Sequence, residues 1–119
     1  MSEIILPHDH GMTNHELLEH IPERESFEKT ANVFALISDA TRLKILWLLC
    51  HSEECVANIS ATVQMTPPAV SHHLRILRQA ELLKSRREGK EVYYTLADNE
   101  GAELVHHVVD HVFNLKCGV

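Results

Sequence analysis

The thirteen residues from Thr66 to Arg78, Thr-Pro-Pro-Ala-Val-Ser-His-His-Leu-Arg-Ile-Leu-Arg, constrain this chain more than any other stretch. Thr66 suits an N-cap, Pro67 suits the first helical position, and Val70, Leu74 and Leu77 recur at i, i+4 and i+7 as an apolar stripe. The other side is polar and basic, with Ser71, His72, Arg75 and Arg78. A second block follows within a few residues, where Val92-Tyr-Tyr-Thr-Leu96 has strong β-propensity and Glu88-Gly89 supplies the positive φ of a tight turn. Between Val70 and Lys90 six basic side chains stand against Glu81 and Glu88, a local excess of four positive charges. Hydroxyl, imidazole and guanidinium groups are the donors that base edges and phosphates accept. The pattern therefore predicts a helix shaped to enter a DNA groove, followed by a β-hairpin. Thr66, Pro68, Ser71, His72, Arg75 and Arg78 on the helix, with Arg86, Arg87 and Lys90 on the hairpin, are the expected DNA contacts.

The formal net charge of −6 argues the other way until its distribution is considered. Residues 1 to 29 hold seven acidic groups against Arg24 and Lys29, a net of −5, so the remaining ninety residues are almost neutral. Nucleic-acid binding depends on where the basic charge lies.

At 119 residues the chain suits one domain with a tail. Residues 1–24 are expected to be a partly ordered, His-rich arm and residues 25–119 the folded domain. No basic leader and no run of eighteen apolar residues occur, so a soluble cytoplasmic protein without a membrane partner is expected. Cys50, Cys55 and Cys117 form an odd set without a Cys-x-x-Cys pair, which points to core residues or metal ligands. The histidine content invites comparison with a zinc hydrolase. No His-Glu-x-x-His pattern, nucleophile elbow or phosphate-cradling glycine loop is present, and no enzyme is expected.

Along the chain, residues 13–20 suit a short helical turn. Ser26 is expected to cap a helix with Phe27, Val33, Phe34 and Ile37 on its apolar side, and Asp39 or Thr41 to open a nearly all-round apolar helix through Leu49. A short helix over 55–63, a turn at Gln64-Met65 and the Thr66 helix complete a helix-turn-helix plan. Asp98 or Asn99 is expected to cap a last helix reaching about Leu115, with Leu104, Val105, Val108, Val112 and Leu115 as its apolar positions. That face implies a second copy of the same helix, so the first and last helices are expected to make a homodimer. The fold class is mainly α with a small β-hairpin wing, a dimeric winged helix-turn-helix.

Four ordered blocks then carry a resemblance: Ser38–Leu46, Glu54–Ile59, Ala69–Arg78 and Arg87–Leu96. Over roughly residues 26–115 the chain resembles the ArsR/SmtB family of metal-sensing repressors. The resemblance implies a homodimer that binds an imperfect inverted repeat in double-stranded operator DNA and releases it when a metal or other inducer binds. It also implies a metal set on the last helix, laid on Asp98, Glu100, His111 and Asn114. Glu100 stands where an imidazole is usual, and Asn114 is a poor zinc ligand, so His107 or Cys117 is the substitute. Asp98, Glu100, His107 and His111 are the preferred ligands, bridging two protomers because Asp98 and His111 lie ~20 Å apart along one helix. A divalent transition metal is the expected cofactor, zinc first, with cobalt, nickel, cadmium or manganese as the other ions.

The resemblance also places Cys55 where a thiolate joins ligands of an N-terminal arm, so the expected second set is Cys55 with His8 and His10 of the arm, which carries four histidines within thirteen residues. His72 and His73 are excluded as chelators because neighbours on a helix point about 100° apart. One is expected to face DNA and the other to pack near the wing. The competing expectation is a repressor of the same fold answering to thiol oxidation, with Cys50 and Cys117 as the conceivable pair.

Overall fold

Four of the six described helices start where a side chain accepts from an orphan amide, and the other two have no such cap. The computed structural model describes residues 4–113 and orders them as α1 (His15–Glu19), α2 (Arg24–Ile37), α3 (Ala40–Leu49), β1 (Glu54–Cys55), α4 (Val56–Val63), α5 (Pro67–Gln79), β2 (Leu83–Glu88), β3 (Glu91–Leu96) and α6 (Glu100–Phe113). Asn14, Asp39, Thr66 and Asn99 accept from backbone amides three residues on, opening α1, α3, α5 and α6. Ser26 does not cap α2. The helix begins at Arg24, and the Ser26 carbonyl instead accepts from the Thr30 hydroxyl inside the helix. The reason is that Glu23 already supplies the extended residue where the chain turns in from Pro22.

The core sits between α3, α4, α5 and α6. Ile45, Leu46 and Leu49 of α3, Ile59 of α4, and Val70, Leu74 and Leu77 of α5 are buried almost completely, together with Val105 and Val109 of α6. Val109 was absent from the expected stripe. It belongs to the face that packs inward, whereas Val112 and Phe113 remain about half exposed. Trp47 also points outward from an otherwise apolar α3. On α2 only Ile37 is buried, and Phe27 and Phe34 lie exposed on the outer side. No helix among the described residues is long and apolar enough to cross a membrane.

The two helix-to-turn junctions beside α5 use left-handed residues that are not glycine. Gln64 ends α4 at φ 57° and Glu81 follows α5 at φ 63°. After α5, the Leu82 amide returns to the Leu77 carbonyl and the Glu81 amide to that of Arg78, which is the Schellman arrangement. The Met65 amide likewise reaches back to Ser60. These bonds close the turn between α4 and α5 and aim the chain from α5 into the wing.

The wing is a three-stranded sheet rather than a bare hairpin. β2 and β3 pair antiparallel from Leu83↔Leu96 to Glu88↔Glu91, leaving Gly89 and Lys90 as the two-residue loop, with Gly89 at φ 62°. β1 adds Glu54↔Tyr94 and Cys55↔Tyr93 on the other side of β3. Asn99 ties these pieces together, since its side chain caps α6 at Ala102 and donates to the Glu81 carbonyl at 2.7 Å. Replacing it by alanine removes both bonds, and Asn99→Ala is expected to destabilise the fold by about 1–2 kcal/mol. Urea unfolding checks this as a lowered midpoint with an unchanged slope.

Candidate functional site

The buried stripe of α5 determines what the helix shows to solvent. With Val70, Leu74 and Leu77 inside, Thr66 and Pro68 stand exposed at the N-terminal end and His72, Arg75 and Arg78 along the outer side, with Ser71 half-buried. A cleft of about 480 Å³ separates this face from the sheet and is lined by Ser71, Arg75, Arg78, Gln79 and Tyr94. Five of the six α5 positions expected to meet DNA are therefore exposed in the protomer, and the sixth lines that cleft.

The hairpin charges divide into two groups. Arg87 and Lys90 are exposed near the tip, where the Arg87 guanidinium donates to the Gly89 carbonyl at 3.3 Å. Arg86, half-exposed, is paired within the protomer. Its guanidinium makes 2.6 Å contacts to Glu53 and to Glu88 and lies 4.8 Å from the centre of the Tyr93 ring. The hydrogen bond from Arg86 holds the Glu53 carboxyl below the usual glutamate range, and the two carboxylates push the guanidinium pKa further up. Arg86 thus anchors the wing to the segment before β1. Spacing alone makes Arg86 and Arg87 equivalent, and only the fold separates them.

His72 is exposed, and its ring lies 5.8 Å from that of half-buried His73. His73 lies near Asp39 at the start of α3, where its positive form would favour the aspartate's charge. Its Nδ1 is buried without a hydrogen-bond partner among the described residues. Asp39 itself is held below the usual aspartate range, chiefly by the Arg42 amide that it caps.

The expected metal ligands lie in three places. Asp98 and Glu100 are exposed at the start of α6, and His107 and His111 are exposed two to three turns further on. Asp98 accepts from Lys84 at 2.8 Å. Cys55, half-buried, precedes α4, while His8 and His10 stack with ring centres 5.6 Å apart in the exposed arm. Neither expected set converges within one protomer among the described residues. Asn114, Leu115 and Cys117 lie outside those residues, and so does part of the expected Cys50–Cys117 pair.

One group of three donors does converge, and sequence reasoning missed it. The ligand atoms of His51, His106 and Asp110 lie within 4.8 Å of one another. Asp110 uses one carboxylate oxygen on His51 Nε2 at 2.8 Å and the other on His106 Nε2 at 3.1 Å, and the two imidazoles meet edge to face at 4.9 Å. The i, i+4 spacing of His106 and Asp110 was visible in the sequence. His51, fifty-nine residues before Asp110, carried no local signal. Imidazole nitrogens with carboxylate oxygens are the donor chemistry that zinc, cobalt and nickel accept, here and on the outer face of α6 alike.

Two helices joined by a tight left-handed turn, the second basic on its outer face and backed by a three-stranded wing, define a winged helix-turn-helix domain of the DNA-binding kind. The chain belongs to the ArsR family of bacterial regulatory proteins, whose family model matches residues 39–85. It is 41% identical over 85 residues to a transcriptional repressor SmtB homolog of Synechocystis, an alignment covering 71% of this chain and 64% of that one. It thus spans a little under two thirds of that relative's length. A cadmium resistance transcriptional regulatory protein, a CadC homolog of Staphylococcus aureus, is 39% identical over 82 residues, covering 68% of each chain. The fold is similar to the homodimeric winged helix-turn-helix DNA-binding domain of a possible ArsR-family regulator from Mycobacterium bovis. There the TM-score is 0.64 at 29% identity, covering 79% of this chain and 88% of that one.

The Glu53–Arg86 contact has a pH signature. Because the folded-state pKa of Glu53 is depressed, its contribution to stability is full above the ordinary value of 4.5 and is lost as pH falls through the lower folded-state value. Glu53→Gln is expected to flatten the fall in melting temperature below pH 4.5, with the difference from wild type shrinking as the medium becomes more acid. Thermal melts of both proteins across that range test the sign.

Proposed function

We propose that this protein is a homodimeric transcriptional repressor that binds double-stranded operator DNA and lets it go when a divalent transition metal binds, zinc being the first candidate. The observation that carries this reading is the exposed basic side of α5 facing a cleft beside the wing. Ser71 and His72 would meet base edges, while Arg75, Arg78, Arg87 and Lys90 would meet phosphates. Arg86 is withdrawn from that group by Glu53 and Glu88. The repressor and cadmium-resistance regulator among its relatives, and the homodimeric domain with the same fold, support the reading.

In the dimer, the outer sides of α2 and α6 would face the second copy. Phe27, Phe34, Val112 and Phe113 are all 45–60% exposed in the single protomer, and pairing covers them. Antiparallel pairing of α6 would bring Asp98 and Glu100 of one protomer beside His107 and His111 of the other. A metal there supplies a fixed link between protomers. These ligands lie away from α5, so the ion acts on DNA only by preferring one arrangement of the two recognition helices. Half-sites about one helical turn apart tolerate little error in that spacing.

Arg75→Ala and Arg87→Ala are expected to weaken binding to any duplex and to lower the slope of log affinity against log salt by about 1 each, the loss of one phosphate contact. Ser71→Ala should instead narrow the gap between operator and random DNA. An unchanged salt slope in both arginine variants would move the DNA face elsewhere.

For the metal, the comparison is His111→Ala against Cys55→Ser, each titrated with zinc, cobalt, nickel and cadmium while operator release is followed. His111→Ala is expected to lose metal-driven release and Cys55→Ser to keep it. The reverse result assigns sensing to Cys55 with His8 and His10. Sedimentation showing a stable monomer at micromolar concentration would remove the cross-protomer site altogether.

A further inference from the structure

The geometry points to a divalent-cation site inside each protomer, formed by His51, His106 and Asp110, separate from the set proposed between protomers and independent of it. The three residues come from two elements that the fold brings together. His51 follows Cys50 at the end of α3, and His106 and Asp110 stand one turn apart on α6, so their side chains share a face. All are partly buried, with side-chain exposures of 19% for His51, 31% for His106 and 27% for Asp110. An ion can therefore enter from solvent, yet the donors are held by packing and need not be gathered from a mobile surface.

The arrangement is already close to a coordination sphere. Three ligand atoms within 4.8 Å of one another need shift little to stand about 2.0–2.2 Å from a common centre, since two ligands at that distance in a tetrahedron are themselves roughly 3.4 Å apart. Without metal, the Asp110 carboxylate is hydrogen-bonded to His51 and lies 3.1 Å from His106 Nε2, which keeps both rings turned towards it. His106 also borders a cavity of about 310 Å³ with Cys50 and Glu103. Two imidazoles and one carboxylate suit zinc, cobalt or nickel better than calcium, which takes six to eight oxygens.

The site lies about 100° round α6 from His107 and His111, which face solvent opposite the core-facing Ala102, Val105 and Val109. It also connects to the wing. The segment after His51 is bound to β3 and β2, because the Thr95 hydroxyl donates to the Ser52 carbonyl at 3.0 Å and Glu53 holds Arg86. An ion here pins α6 to the base of the wing in the same protomer.

The test uses cobalt(II) as the probe, on full-length protein freed of metal and carrying His111→Ala and Cys55→Ser to silence the other two ligand sets. One cobalt per protomer with visible d–d absorption is expected to remain. Adding His51→Ala should weaken it by at least about tenfold, the smallest loss typical of even an outer-shell partner. Asp110→Asn in the same background keeps the side-chain shape while removing the charge, and should weaken binding likewise, with circular dichroism confirming that both variants are folded. Absence of cobalt binding in the silenced background overturns the site, as does unchanged affinity and spectrum in the Asp110→Asn variant. Because operator release is not the readout, failure here leaves the cross-protomer metal reading standing, and failure of that reading leaves this one.

Discussion

The apolar seam between α3 and α5 is the constraint on which the remaining geometry depends. Val70, Leu74 and Leu77 are buried to 1% exposure or less in a cluster with Ile45, Leu46 and Leu49. At ~1.5–3 kcal/mol for each such side chain as an upper estimate, no other set of contacts available to α5 competes with this one. The seam fixes the roll of α5 about its axis. Once that roll is set, Arg75 and Arg78 must face outward and Ser71 must line the cleft beside the wing. DNA-facing chemistry is thus a consequence of core packing.

What was legible in the sequence is what local physics decides. The cap at Thr66, the stripe of α5, the turn at Gln64 and the positive φ at Gly89 each depend on a few neighbouring residues and were readable, whereas the caps of α3 and α6 were narrowed only to Asp39 or Thr41 and to Asp98 or Asn99. The rest required tertiary contacts. β1 is two residues long, too short for alternation to show, and exists because β3 lies beside it. The withdrawal of Arg86 from the basic surface depends on Glu53, thirty-three positions earlier. His51 meets Asp110 only because the end of α3 packs against α6. For the candidate site as a whole, the helix-borne positions were readable as a pattern, and the pairing of distant titratable groups was not.

Charge segregation has a structural counterpart. Among the described residues, the acidic side chains of the arm and α2 are exposed, and their ion pairs run only along the helix, as in Arg24–Glu28 and Glu25–Lys29. Such exposed pairs contribute little to stability. Glu53, Glu88 and Asp98 act differently, because each engages a basic side chain of the wing strand β2. They remove Lys84 and Arg86 from the freely presented charge and leave Arg75, Arg78, Arg87 and Lys90 as the basic surface. The local charge excess read from sequence is thereby sharpened into a smaller, better-placed patch.

The α6 helix therefore presents two faces. Its outer side exposes Asp98, Glu100, His107 and His111, the set proposed to meet a second protomer, while its other side touches the core and, through Asp110, the end of α3. In the proposed dimer, a ligand on the outer face would alter how two protomers sit, and one bound by His51, His106 and Asp110 would alter how α6 sits on its own wing. Both adjustments would change the relation between the proposed recognition elements and the dimer axis, and so would couple to DNA through the same helix. Linkage makes each coupling reciprocal: whatever factor an ion takes from operator affinity, operator takes from ion affinity. Two ions acting on one helix from different faces need not act with the same sign. On the proposed reading, the outer one would set the spacing between half-sites, and the inner one the stiffness with which each protomer holds its wing to that spacing.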